Sequence, residues 1–212
     1  MSMLRYISHA NVVIDPDVPV PRWGLSEVGR TRAEAMLAQP WVPAIQRVVS
    51  SDETKAREAA GILADHLGLE VEVRPATGET DRSATGFVPP ARHHELSDRF
   101  FGSPTESAEG WETAVAAQAR IIDAVADLLR GDGDGDENRE GVGDVAVVGH
   151  GGVGTLLLCH LDGLAIDASH DQPGQGHYWT LDRSGGEVVH RWRPIDVIET
   201  ADGDEGVGRS LA

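Results

Sequence analysis

Two histidines stand where this sequence could do chemistry. His9 closes the segment Leu4-Arg5-Tyr6-Ile7-Ser8-His9-Ala10, and His150 closes Val145-Ala146-Val147-Val148-Gly149-His150, followed by Gly151 and Gly152. Each lies where an apolar strand should leave a sheet, and in open α/β sheets that edge is where ligands bind. Two imidazoles meeting there, with cations nearby, make an anion site and offer a nucleophile. Cations are scarce. Lys55 is the only lysine, and every other permanently cationic side chain is an arginine.

The elements that must position these residues read as strands alternating with helices. Leu4 to His9 is a strand, and the proline-rich stretch from Asn11 to Trp23 is a loop. Ser26 is a candidate N-cap for a helix carrying Ala33, Met36 and Leu37 on one face and ending at Pro40. Ile45 to Ser50 is a second strand. Ser51 or Asp52 caps a helix that runs to Leu67, with Gly68 as its C′ residue. Val71 and Val73 mark a third strand. Residues 74 to 109 form a long loop region interrupted by one helix near Pro90 to Phe101, and such loops are usually functional or disordered. Glu112 to Arg130 is an amphipathic helix, with Val115, Ala119, Ile122, Ala126 and Leu129 on its apolar face. The continuous Val-Ala-Val-Val run from Asp144 to Gly149 reads as a strand buried on both faces. A helix from Val153 to Leu161 follows, then strands at Tyr178 to Leu181 and Val188 to Trp192, joined at Gly185-Gly186. The expected fold is a three-layer α/β sandwich with a mostly parallel central sheet flanked by helices. It should span residues 1 to 198 as one domain, with an acidic surface loop at 131 to 143 and a flexible tail from 199 to 212.

Composition narrows the function. The 212 residues are 40% hydrophobic and 25% charged, as in ordinary globular proteins. The formal net charge of −17 argues against nucleic acid as a partner, because a phosphate backbone needs a basic face. No apolar run is long enough to cross a membrane, and no signal segment precedes the first strand. The single cysteine, Cys159, sits in Leu156-Leu157-Leu158-Cys159 and reads as core, which fits a reducing cytoplasm. The sequence leaves a homodimer open and does not fix the oligomeric state.

Two metal motifs fail. An EF-hand loop starting at Asp132 would need Gly at its sixth position and Glu at its twelfth, and Glu137 and Gly143 stand there. His93-His94-Glu95 lacks the paired i, i+4 histidines of helical zinc sites.

Four segments in order resemble the histidine phosphatase superfamily, which includes the cofactor-dependent phosphoglycerate mutases. Ser8-His9-Ala10 stands at the family's Arg-His-Gly. Leu25-Ser26-Glu27-Val28-Gly29 matches its Leu-Thr-x-x-Gly helix start. Ser50-Ser51-Asp52-Glu53-Thr54-Lys55-Ala56-Arg57-Glu58-Ala59-Ala60 matches its Ser-Ser-Pro-Leu-x-Arg-Ala stretch, and Gly149-His150-Gly151-Gly152 its second His-Gly. The resemblance runs from residue 4 to about 195. It implies a metal-independent phosphomonoesterase, with no cofactor, acting on a small phosphate ester. His9 would be the nucleophile that becomes phosphorylated, and His150 would stabilise the transferring group. The family's general acid is a Glu shortly after the third strand, which selects Glu79. An alternative alignment selects Asp98.

The departures matter as much as the matches. Ser8 replaces the phosphate-clamping arginine, and Lys55 replaces a second one. A lysine supplies charge without the planar bidentate fork. Arg82, three residues after Glu79, is the candidate to restore a guanidinium. Arg5 lies further back on its strand, and Arg57 points to another side of its helix. The candidate site is therefore His9, His150 and Glu79 for catalysis, with Lys55, Arg82, Ser8 and Gly151 contacting the substrate phosphate. Among other histidines, His160, His170 and His177 read as surface or packing residues, with His177 the candidate exception, near the pocket rim. A mutase, or a catalytically weak phosphate-binding pseudoenzyme, is the alternative reading.

Overall fold

The structure is a computed structural model, and it describes residues 2–130 and 143–199. Apart from Gly143 and Glu199, the expected surface loop and tail lie outside the described residues.

Six strands form one sheet: β1 (Met3–Ser8), β2 (Ile45–Ser50), β3 (Val71–Val73), β4 (Asp144–Gly149), β5 (His177–Asp182) and β6 (Glu187–Pro194). Their spatial order is β3-β2-β4-β1-β5-β6. The first four of that order are mutually parallel, and β5 and β6 are added antiparallel. Among the described residues five α-helices accompany them: α1 (Glu27–Ala35), α2 (Thr54–Leu67), α3 (Pro90–Gly102), α4 (Ala114–Arg130) and α5 (Gly151–Leu161). The expected α/β sandwich with a mostly parallel sheet is the observed fold.

The period of two along each strand divides the core into layers. Leu4 and Tyr6 of β1 and Val145 and Val147 of β4 face a cluster completed by Ile121, Val125, Leu156 and Trp179. Ile7, Ala146 and Val148 face the opposite cluster, with Ala33 of α1, Met36 just after it, and Ala59 and Leu63 of α2. All six residues of β4 are buried, as its unbroken apolar run requires.

Three local expectations need correction. Neither Ser51 nor Asp52 caps α2, which starts after Glu53. The Ser51 hydroxyl instead bonds the ring of His150 at 2.8 Å, and this tertiary partner outcompetes the local cap. On α4 the buried stripe is Ala114, Ala117, Ile121, Val125 and Leu128, one residue away from the expected face, and Val115 is exposed. In an alanine-rich helix two overlapping apolar stripes satisfy the same period, so the neighbours choose between them. The helix also begins at Ala114, because Glu112 is engaged elsewhere: its backbone N–H donates to the Asp81 carbonyl. Finally, α5 begins at Gly151, directly after His150.

Other expectations agree with the observed backbone. The Ser26 side chain caps α1 by accepting from Gly29 N–H at 3.1 Å. Gly68 ends α2 in the left-handed region, at φ 68°. No helix among the described residues is long and apolar enough to cross a membrane.

Candidate active site

Sheet register brings the two histidines together. Ser8 pairs with Gly149 across the parallel β1–β4 ladder, so the next residue of each strand leaves the sheet at the same edge. The His9 and His150 rings lie 5.3 Å apart, edge to face, and both are buried. His9 Nδ1 donates to the carbonyl of Ala10 at 2.8 Å, which leaves Nε2 as the unprotonated nitrogen. Burial, reinforced by the neighbouring His150, lowers the His9 pKa to about 3. His9 is therefore neutral across the physiological range.

His150 is held from behind. Its backbone N–H donates to the Tyr6 hydroxyl, which in turn donates to the His150 carbonyl, both at 3.1 Å. Burial also lowers the His150 pKa, although Glu53 and Glu79 pull it upward. Nε2 meets Ser51 Oγ at 2.8 Å and Glu53 Oε1 at 3.3 Å, while Nδ1 is buried without a partner. This unpartnered ring nitrogen lies beside His9 and can donate to a bound oxygen once His150 takes up its second proton.

Lys55 enters the same pocket from the first turn of α2 and is almost wholly buried. Its Nζ pairs with the Glu53 carboxylate and donates to the Val20 carbonyl at 3.0 Å. Glu53 also accepts the backbone N–H of Glu79 at 3.0 Å. Burial pushes the Glu53 carboxyl up, but His150 and Lys55 outweigh that effect and hold it below the usual range. Glu53 thus lies among donors suited to an oxyanion: an ammonium, an imidazole and a backbone amide. Sequence reasoning missed it. The available signal was a charged residue in place of the family's leucine, two positions before the only lysine.

Glu79 occupies the N-terminus of α5. Its two carboxylate oxygens accept from the N–H groups of Gly152 and Val153, each at 3.2 Å. A Cβ on Gly152 would come within 2.7 Å of that carboxylate, so only glycine lets the acid sit so close. Burial raises the Glu79 pKa, yet Arg82, His150 and these backbone donors overcome it and bring it to about 2. Arg82 pairs with Glu79 at 3.4 Å and lies over the Trp111 ring. Behind them Arg120 of α4 donates to the carbonyls of Ala76 and Gly78, both at 2.9 Å, and of Glu79 at 3.2 Å. It also pairs with Glu112. One buttressing arginine therefore fixes the loop that carries Glu79.

These side chains line one cleft of about 1360 Å³. His9, His150, Glu79, Lys55, Arg82 and Gly151 all reach it. Ser8 is the correction. Its hydroxyl accepts from His177 N–H at 3.0 Å and bonds Gln172 Oε1, so it ties β1 to β5 instead of lining the cleft. The alternative acid Asp98 is exposed on α3 beside His94 and is not part of the lining. Arg5 lies at the other end of the sheet, paired with Asp144. Arg57 is exposed. His160, His170 and the expected rim residue His177 do not line the cleft. Among the described residues no group of three His, Cys, Asp or Glu side chains is arranged to hold a metal ion.

Comparison with known proteins places this geometry in context. No curated protein sequence matches the chain. A mycobacterial glucosyl-3-phosphoglycerate phosphatase in complex with inorganic phosphate superposes with a TM-score of 0.71 at 24% identity, covering 93% of this chain and 100% of the other. The phosphoserine phosphatase of Entamoeba histolytica, in complex with 3-phosphoglyceric acid, gives 0.71 at 14% identity over 93% and 100%. A mycobacterial hydrolase gives 0.67 at 25% identity over 95% and 99%. Residues 12–192 match the family model of the histidine phosphatase superfamily, branch 1. With that match over most of its length, and the shared fold beneath it, the chain belongs to the histidine phosphatase superfamily.

Proposed function

We propose that this protein is a metal-independent phosphomonoesterase that works through a phosphohistidine at His9. The observation that carries the reading is the His9 tautomer: Nδ1–H is held by the Ala10 carbonyl, and a neutral Nε2 is left beside His150. In the first step Nε2 attacks phosphorus, an N–P bond forms, and the bond to the leaving oxygen breaks. Lys55, His150 and Arg82 stabilise charge on the equatorial oxygens. Glu79 protonates the leaving alkoxide. It then takes a proton from water, which attacks phosphorus, breaks the N–P bond and regenerates neutral His9.

The resting charges set a condition on this cycle. Lys55 is paired with Glu53 and Arg82 with Glu79, while both imidazoles are neutral. A phosphoryl dianion entering this balanced set favours proton uptake. It also draws Arg82 and His150 away from Glu79, which raises the Glu79 pKa toward the protonated form that a general acid needs. Affinity for phosphate should therefore increase as pH falls. Cytoplasm is the proposed compartment, on the strength of the single, buried Cys159.

A binding protein without turnover is the second reading. It is favoured by Glu53, whose carboxylate already engages Lys55 and His150. One experiment separates the two. Turnover of a phosphate ester, quenched rapidly without acid, should leave one phosphoryl group on the peptide that contains His9. His9→Ala should lower kcat at least about 10³-fold, the scale of losing a nucleophile. An adduct on another residue with full activity in His9→Ala would overturn the assignment.

A further inference from the structure

The cleft is far larger than a phosphoryl group requires, and its outer part has a chemistry of its own. Its volume of about 1360 Å³ exceeds the roughly 300–1,000 Å³ of ordinary ligand pockets. From the His9 end it continues between two segments, the loop of residues 12–23 and residues 83–111, which include α3. Trp23 on the first loop and Phe87 on the second meet with ring centroids 5.5 Å apart, and Val18 and Val88 flank them on the lining. The Trp23 indole N–H is already satisfied by the carbonyls of Asp15, at 2.9 Å, and Val18, at 3.0 Å. The ring therefore makes no polar demand on a ligand.

The charges along the cleft point the same way. The permanent cations on the cleft lining are Lys55, Arg82 and Arg120, and each is paired with a carboxylate: Glu53, Glu79 and Glu112. Asp17, Asp52 and Asp81 also line the cleft, with no ion-pair partner among the described residues. They add to the negative field of a chain of net charge −17. Among the described lining residues no free cation is left to receive a second anion on the substrate, which would meet these carboxylates instead.

We infer that the substrate is a phosphomonoester whose leaving group is a bulky, largely apolar alcohol that carries no negative charge of its own. The inference rests on the phosphatase reading above. The apolar wall stabilises such a group by removing it from water, and the acidic rim rejects sugar acids and bisphosphates.

Three alkyl esters test it without large differences in leaving-group reactivity: 2-phenylethyl phosphate, glycerol 3-phosphate and 3-phosphoglycerate. The kcat/KM for the phenylethyl ester should exceed that for glycerol 3-phosphate at least tenfold and that for 3-phosphoglycerate at least a hundredfold. In Phe87→Ala the first ratio should shrink at least fivefold. Equal hydrolysis of all three, or a preference for 3-phosphoglycerate, overturns the inference and leaves the phosphatase reading intact. Hydrolysis of none overturns the phosphatase reading. Calorimetric binding of the non-hydrolysable 2-phenylethylphosphonate against phosphonoacetate then decides the inference by itself, and tighter binding of phosphonoacetate defeats it.

Discussion

The site has a half borne by strand ends and a half borne by loops and helix starts, and the two are built differently. His9 and His150 follow directly from adjacent parallel strands. Their backbones are locked by the sheet and by Tyr6, and their rings are kept neutral by burial. Glu53, Lys55, Glu79 and Arg82 come from connections and a helix start, and they hold one another in two ion pairs. In the proposed mechanism the strand-borne half fixes where chemistry happens, and the other half fixes how much charge the place can receive. A buried charge needs a partner, and these loop-borne groups supply it to each other.

After His9→Ala, the largest expected effect tests the Lys55–Glu53 pair. Lys55→Met should lower kcat/KM by about 2–4 kcal/mol, the scale of losing one oriented donor to a developing oxyanion. It leaves Glu53 buried beside His150 with no ammonium. Adding Glu53→Gln should therefore recover part of the loss, and steady-state kinetics of the double-mutant cycle reads that coupling. Activity indifferent to Lys55→Met would place the lysine outside the site.

The neutral histidines make a different prediction, on stability. The His9 pKa is about 3 in the folded chain against 6.5 as the ordinary value, so between those values the unfolded chain binds the extra proton. Glu79, at about 2 against 4.5, adds a second proton in the lower part of that window. Both contributions to stability are full above the ordinary values and are lost as pH falls. Urea unfolding at pH 7, 6, 5 and 4 should show the wild type losing stability more steeply than His9→Asn. The difference should approach about 1.4 kcal/mol per pH unit below 6.5. Parallel curves would mean that His9 is protonated in the folded state.

Glu53→Gln alone should tighten competitive inhibition by inorganic phosphate about tenfold, or ~1.4 kcal/mol. It removes the carboxylate from the donors that an oxyanion would use. Weaker inhibition would make Glu53 a positioning residue for Lys55 instead of a competitor for its charge. The smallest effect belongs to Arg82, which is partly exposed and screened by solvent. Arg82→Ala should weaken phosphate inhibition about threefold and leave the circular dichroism spectrum unchanged. A larger loss would show that it closes onto the bound phosphoryl group more tightly than its resting pair with Glu79 suggests.

The sequence by itself determined the sheet and the position of both histidines. A short, valine-rich run such as Val145 to Val148 reads as a buried strand, and a residue directly after such a strand leaves at the sheet edge. It also indicated Glu79, through the family spacing. What it could not show was which polar groups would meet across the loops. Ser8 followed the right strand, yet its hydroxyl turned to β5 and Gln172. Ser51 and Glu53 read as helix-start residues, yet both turned to His150. The stripe that α4 buries was equally open until its neighbours selected it. Strand and helix periodicity is a local property of the chain. The partner of a buried polar side chain is chosen by whatever unsatisfied group the fold brings within about 3 Å, and only the tertiary structure decides that.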